Sequence, residues 1–362
     1  MLPLPTLLIP TLAALLAVDD EPEYRTLSLA GGELRYAVVL PEGYDPEAEY
    51  PVLLALPPGG QTEEMVDWGL RLYWTAGARA RGWVVVSPAA PAGELFFRGG
   101  ERAVPPLLDA LSRDFQIESG RVHLAGVSNG GRGAFRVALE SPGRFASLTV
   151  LPGYPPEPED DERLGLLTAL PIALYVGGDD GPWLERSRET VGRLVQLGAD
   201  MVSLRVYPGE GHTPPSLTGE ALFAQLEDFR ARAAVGAVLD DFHAAASEPD
   251  GERYFAHFAE GGTFYGTDAG ERWSVDAFRA YAAPHFSTGR GWTYHPRDRH
   301  VFLGPSADVA WFDERLDNAK YGELRGSGVL VLVEGSWRIA QYNLAFPVPN
   351  DAVEGLLELL KE

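Results

Sequence analysis

The sequence predicts two domains of different class, a three-layer α/β sandwich followed by an α+β domain, and three observations carry that prediction. From Tyr24 to about Arg232, short β-branched runs alternate with longer amphipathic stretches, the mark of parallel βα units. Near Gly236 this alternation stops, and long strand-like runs follow one another across turn residues. The chain has 362 residues and 45% hydrophobic content, enough for two cores at roughly 100–200 residues per domain.

Taken in order, residues 1–18 open with an apolar, uncharged run, Leu2 to Val18, carrying prolines at 3, 5 and 10 and followed by Asp19, Asp20 and Glu21. A transmembrane helix needs about 20 apolar residues and rarely carries three prolines. The run therefore reads as a secretory signal peptide cut near Ala17, which predicts a secreted or periplasmic protein with no stable membrane insertion. In the first domain, residues 19–234, strands are expected at 34–40, 51–56, 83–87, 121–126, 146–151, 172–177 and 202–207. Helices are expected at 65–80, 102–115, 131–140, 183–197 and 217–234. Strands apolar on both faces need helices on both sides, hence three layers.

The second domain, residues 235–362, begins with helical stretches at 238–246 and 251–260 and a short strand at 263–266. A helix over 274–283 is expected to end at Pro284. Strands follow at 292–303, 308–317, 322–333 and 336–346, an antiparallel sheet curling around helices. A continuous helical region over 217–246 joins the two domains.

Composition excludes several functions. Against 52 Asp+Glu stand 30 Lys+Arg, so the net charge is 30 − 52 = −22. Neither nucleic acid nor an acidic lipid surface suits such a chain, since both need clustered basic side chains. With no cysteine there is no thiol nucleophile, disulfide or thiolate metal site, so any nucleophile is oxygen or nitrogen.

The segment HLAGVSNGGRGAF places Gly126, Ser128 and Gly130 where a strand turns into a helix, a GxSxG nucleophile elbow. A serine hydroxyl needs a base, and the base needs a carboxylate to orient it. His212, in GEGH after the strand 202–207, is the base. The acid comes from Asp179 or Asp180 after the strand 172–177; spacing from Gly177 favours Asp180 and leaves Asp179 to cap the next helix. The oxyanion needs two backbone N–H groups, one from Asn129 and one from the loop LPPGGQ, where prolines cannot donate and Gly59, Gly60 and Gln61 can. This chemistry requires no cofactor and no metal.

Residues 24–234 resemble the α/β-hydrolase superfamily, among them the serine esterases grouped with polyhydroxybutyrate depolymerase and feruloyl-esterase-like enzymes. The resemblance lies in LRYAVVLPEGYDPEAEYPVLLALPPGGQ, GVSNGGRGAF, VGGDD and YPGEGH. It implies hydrolysis of a small-molecule carboxylic ester through an acyl-enzyme on Ser128. Many relatives carry His-Gly where this chain has Pro57 and Pro58, and by position Gly59 is the matching oxyanion donor.

Residues 236–350 resemble the SnoaL-like branch of the nuclear transport factor 2-like superfamily, in FYGTDAGERWSVDAF, GWTYHPRDRHVFL, VAWFDERLDNAKYGELRGSGVL and WRIAQYNLAFPVP. That resemblance implies a cone-shaped α+β domain, and relatives range from isomerases, cyclases and dehydratases to domains without chemistry. His285, Tyr294, His300, Asp313 and Tyr342 are either an acid–base set in the cone or polar groups of the sheet face. No HxxxH or HExxH spacing suits a metal. Ligand binding or dimerisation is the expected role, with a homodimer formed through residues 290–346 by a face carrying Trp311, Leu330 and Leu332.

The leading expectation is thus a secreted serine esterase with an accessory domain. One rival is a peptidase of the prolyl oligopeptidase type, although no propeller-like stretch lies before Ser128 in this sequence. The other is a small-molecule-binding protein with a vestigial hydrolase domain. Substrate walls are expected from the loops 89–98 and 153–164.

Overall fold

A computed structural model describes residues 22–360. The signal-peptide reading of residues 1–18 lies outside the described residues. The first domain is built on strands β1 (Glu23–Leu29), β2 (Gly32–Val39), β3 (Val52–Leu56), β4 (Val84–Pro88), β5 (Val122–Val127), β6 (Phe145–Leu151), β7 (Ile172–Gly177) and β8 (Val202–Tyr207). They lie in the order β1-β2-β4-β3-β5-β6-β7-β8. The β1/β2 and β2/β4 pairs are antiparallel and the rest parallel, the strand arrangement of an α/β-hydrolase. Strand β1 is absent from the sequence expectation because it is half-exposed along its length and lacks the apolar runs that mark the buried strands.

Helices α1 (Glu63–Gly69), α2 (Thr75–Arg81), α3 (Val104–Asp114), α4 (Asn129–Glu140), α5 (Pro158–Glu162) and α6 (Gly181–Gln196) flank this sheet, and a π-helical turn, Leu70–Trp74, joins α1 to α2. Strand periodicity decides which layer each residue serves. In β3, Val52, Leu54 and Leu56 pack with Leu107 and Leu111 of α3 and Phe135 of α4. Leu53 and Ala55 face the opposite layer with Leu70, Trp74 and the residues Phe223 and Leu226.

Phe223 and Leu226 belong to α7 (Gly219–Ser247), the continuous helical region expected over 217–246, in which the stretches 217–234 and 238–246 merge into one helix capped by Thr218 on the Ala221 N–H. Gly236 falls inside it without interrupting it. The first half buries Leu222, Phe223, Leu226 and Phe229 in the first domain's core, and the second half buries Val235, Leu239 and Phe242 in the second's. Its apolar face changes partner part-way, so no single stripe marks it in sequence.

The second domain adds α8 (Gly251–Ala256), β9 (Phe258–Tyr265), β10 (Arg272–Ser274), α9 (Val275–Phe286), β11 (His295–Leu303), β12 (Val309–Asn318), β13 (Gly322–Val333) and β14 (Ser336–Ala345). The sheet order is β10-β9-β14-β13-β12-β11. Three expectations are corrected here. The helix expected over 251–260 stops at Ala256, because Phe258 pairs with Ile339 of β14 and the chain turns to strand. Helix α9 runs through Pro284 to Phe286: in the last turn proline removes only one helical bond, and its carbonyl accepts from the Ser287 and Thr288 hydroxyls. Leu330 does not share a face with Trp311. Trp311 lies opposite Val329 and Ala310 opposite Leu330, so Leu330 is buried in the core while Trp311 stacks outward on Phe302.

Among the described residues, no helix is long and apolar enough to cross a membrane.

Candidate active site

Strand β5 ends at Val127 and α4 begins at Asn129, leaving Ser128 alone at the turn with φ 56° and ψ −116°. A non-glycine residue held there is strained, and the surrounding packing enforces it. The Ser128 N–H donates to Leu151 O on β6 at 3.1 Å, and the Arg132 N–H donates to Ser128 O at 3.1 Å. Gly130 passes so close to β3 that a Cβ there would sit 2.1 Å from Leu56 O. The elbow is therefore clamped between three strands.

The strands β7 and β8 deliver the other two groups. Gly178 N–H donates to Tyr207 O and Asp179 N–H to Glu210 O, which holds the loops after these strands together. His212 Nδ1 lies 2.8 Å from Asp180 Oδ2, and its Nε2 lies 2.7 Å from Ser128 Oγ. With Asp180 ionised, the imidazole proton sits on Nδ1 and donates to that carboxylate, so Nε2 is bare and accepts from the Ser128 hydroxyl. Asp180 is mostly buried and His212 is 39% exposed, so the carboxylate is shielded while the base stays reachable. Asp180 also occupies the N-cap position of α6, with its side chain turned to His212. Asp179, expected as the cap, is an exposed residue outside this chain of bonds.

The oxyanion loop resolves partly. Gln61 N–H donates to Pro58 O at 2.9 Å, which removes it from the three potential donors. Its fully buried side chain accepts from Phe96 N–H at 2.8 Å and braces the loop. The N–H groups of Gly59 and Gly60 have no partner among the described residues, and neither does that of Asn129 at the start of α4. Asn129 Nδ2 donates to Gly59 O at 2.9 Å, tying the loop to the elbow.

An aromatic wall that sequence reading missed adjoins His212. Trp183 meets the imidazole edge-on with centroids 4.8 Å apart, and Tyr154 lies 4.9 Å from Trp183. Tyr154 falls in one of the two loops expected to shape the pocket; Trp183 sits in the first turn of α6, where only its closeness to Asp180 in sequence could have pointed to it.

The second domain holds a cavity of about 350 Å³. Of the five residues proposed from sequence, His285, Tyr294 and Tyr342 line it. His300 and Asp313 do not: they face each other across β11 and β12 on the exposed side, 3.5 Å apart. The polar centre beside the cavity was missed. His243, which lines it, lies 2.7 Å through Nε2 from Glu314 Oε1; Arg299 Nε donates to Glu314 Oε2 at 2.7 Å, and Tyr342 OH donates to Oε1 at 3.1 Å. A signal existed, since Glu314 is the one acid among the inward positions Ala310, Phe312, Glu314 and Leu316 of β12. Among the described residues no group of acids and histidines could hold a metal ion.

Residues 235–349 match the family model of the SnoaL-like domain. No curated protein matches the chain in sequence. Among solved structures, a thermostable esterase is 21% identical with a TM-score of 0.46, over 57% of this chain and 60% of that one. Dipeptidyl peptidase 4 from Porphyromonas gingivalis is 17% identical with a TM-score of 0.46, over 57% of this chain and 35% of that one. A nuclear transport factor 2-like protein of unknown function from Pseudomonas putida is 11% identical with a TM-score of 0.30, over 34% of this chain and 91% of that one. The chain thus spans less than two thirds of the esterase and of the peptidase. It joins an α/β-hydrolase-fold domain to a SnoaL-like domain.

Proposed function

We propose that the protein is a serine hydrolase that cleaves a carboxylic ester, and that its second domain binds a small molecule. The bonded series Ser128–His212–Asp180, at 2.7 and 2.8 Å, carries the reading. Ser128 Oγ attacks the ester carbonyl as its proton passes to His212 Nε2, while Asp180 stabilises the resulting imidazolium. The N–H groups of Asn129 and Gly59 or Gly60 hold the oxyanion. The imidazolium then returns its proton to the departing alcohol, leaving an acyl-enzyme. Water attacks that acyl group by the same base, the acid leaves and Ser128 regains its proton.

A peptidase could use the same three groups, so the substrate must be measured. The test is labelling with a fluorophosphonate followed by turnover of nitrophenyl esters against aminoacyl-anilides. Capture at Ser128 with ester turnover is expected; capture at another serine, or faster turnover of anilides, would reject the esterase reading.

The roughly 350 Å³ cavity favours ligand binding as the second domain's role, being of the size that takes a small organic molecule. The homodimer through residues 290–346 also belongs to this proposal. Of the three residues expected on that face, Leu330 is inside the core, while Trp311 and Leu332 are 47% and 40% exposed, and Phe302 stacked on Trp311 joins them. Light scattering of Trp311→Glu beside the unaltered protein tests it, and an unchanged mass would remove Trp311 from any such interface.

A further inference from the structure

Arg132 lies one helical turn beyond the nucleophile, where α4 meets both loops that wall the site. Its guanidinium carbon lies over the ring of Phe97 of the loop after β4, 4.5 Å from the centroid, and over that of Tyr154 of the loop after β6, at 5.4 Å. One Nη2 hydrogen bond, to Pro156 O at 3.0 Å, is its single hydrogen-bonded contact through the side chain among the described residues. Its Nε is buried and has no hydrogen-bond partner among the described residues. Tyr154 in turn touches Trp183, and Trp183 touches His212.

The neighbouring arginines show what is unusual here. Arg136, one turn further along α4, makes three hydrogen bonds to Asp160, and Arg186 of α6 is paired with both Asp161 and Glu189. Arg132 forms no ion pair among the described residues, although Asp160 and Asp161 lie in the same segment as Pro156. In a chain of net charge −22, acids to neutralise it are plentiful. A half-buried cation lying against two rings, without an ion pair among the described residues and one helical turn from the nucleophile, is preorganised for a planar anion brought by something else.

On the serine-esterase reading above, we propose that Arg132 is a specificity residue that binds a carboxylate on the substrate, so that the preferred esters are half-esters carrying a second, ionised acid group. The two aromatic rings hold the planar fork in place, and its terminal N–H groups donate to the carboxylate of the substrate while Ser128 attacks the ester carbon.

The experiment compares mono-4-nitrophenyl esters of straight-chain dicarboxylic acids with the same compounds methylated at the free acid. The unaltered protein is expected to turn over one chain length of the acidic series with kcat/KM at least ten-fold above its neutral counterpart. In Arg132→Gln that ratio is expected to fall roughly ten- to a hundred-fold, as for a lost charge-assisted contact, and in Arg132→Lys to fall less, because charge remains without the planar fork. Labelling of Ser128 by a neutral fluorophosphonate reports whether each variant still assembles the site. If no acidic ester is preferred by the unaltered protein, or if Arg132→Gln lowers both series equally, Arg132 is only a clip between two loops and the proposal fails. Failure of the esterase reading looks different: neither series is hydrolysed and Ser128 is not labelled.

Discussion

A Cβ on Gly126 would lie 2.1 Å from the carbonyl oxygen of Gly130, so the last turn of β5 and the first turn of α4 touch backbone to backbone beneath Ser128. Gly126 makes room for Gly130, and Gly130 in turn makes room for the end of β3 at Leu56. Gly126→Ala is expected to cost about 1–3 kcal/mol by forcing these backbones apart, and to move Ser128 out of reach of His212. Gly192, exposed in the middle of α6 with open space around its Cα, provides the contrast: Gly192→Ala is expected to stabilise by roughly 0.5–1 kcal/mol. Urea unfolding measures both, and fluorophosphonate labelling is expected to fail for the first variant alone.

The bonded series from Ser128 to Asp180 makes an ordered prediction about activity. Ser128→Ala and His212→Ala are each expected to lower ester kcat by about 10⁴-fold or more, because the two act as one unit. Asp180→Asn is expected to lower it by roughly 10³–10⁴-fold, since an amide cannot hold the imidazole in the required tautomer. Asp179→Asn, outside the series, is expected to stay within about threefold, as surface changes away from such features do. Steady-state kinetics on one nitrophenyl ester rank the four, and a larger loss for Asp179→Asn than for Asp180→Asn would reassign the acid.

Much of this arrangement was legible in the chain, for physical reasons that can be named. The elbow residues carry a local steric rule, and Asp180 and His212 sit at the ends of strands whose apolar runs are visible in sequence. Arg132, Trp183 and Tyr154 were not legible, because what defines them is contact between two helices and a loop distant in sequence. Strand β1 escaped because half-exposed edge strands carry few apolar residues. The face of Leu330 was not legible because the register between strands decides it, and the ladder sets Trp311 against Val329 and Leu330 against Ala310. His243 was hidden for another reason: in α7 it lies among apolar positions that serve two cores.

His123 sets a limit on the first domain in acid. It is buried on β5, with Nδ1 2.8 Å from Ser147 Oγ and its ring 4.9 Å from that of Trp83. Burial, helped by the charges of Arg230 and Arg121, pushes its pKa down from 6.5 to about 3. Between those two values the unfolded chain binds a proton that the folded one refuses, so stability falls as pH falls, by up to about 1.4 kcal/mol per pH unit. His123→Asn removes that proton. Its urea-unfolding free energy is expected to vary less with pH between 6 and 4 than that of the unaltered protein, by about one proton's slope. An identical slope in both would mean that His123 protonates in place.

Glu314 makes the corresponding prediction for the second domain. Its side chain is fully buried, yet its carboxylate faces His243, Arg299 and the Tyr342 hydroxyl at once. Burial alone would raise its pKa; the hydrogen bonds and charges of His243 and Arg299 outweigh it and hold the group below its ordinary value of 4.5. The stability this contributes is therefore fully present above 4.5 and is lost as pH falls through the lower folded value. Removing the carboxylate leaves Arg299 charged and largely buried with one acid, Asp240, at the exposed end. Glu314→Ala is expected to destabilise the second domain by about 3–5 kcal/mol, the usual cost of breaking one side of a buried pair. Glu314→Gln keeps an acceptor for Tyr342 and is expected to lose less, while abolishing the acid-dependent part. Calorimetry separates the two domains: the transition of the second is expected to move to lower temperature in both variants, while nitrophenyl-ester hydrolysis by Ser128 persists above that transition. If hydrolysis falls in step with the second domain's melting, α7 couples the two cores into one folding unit, and the accessory domain is then part of what holds the active site together.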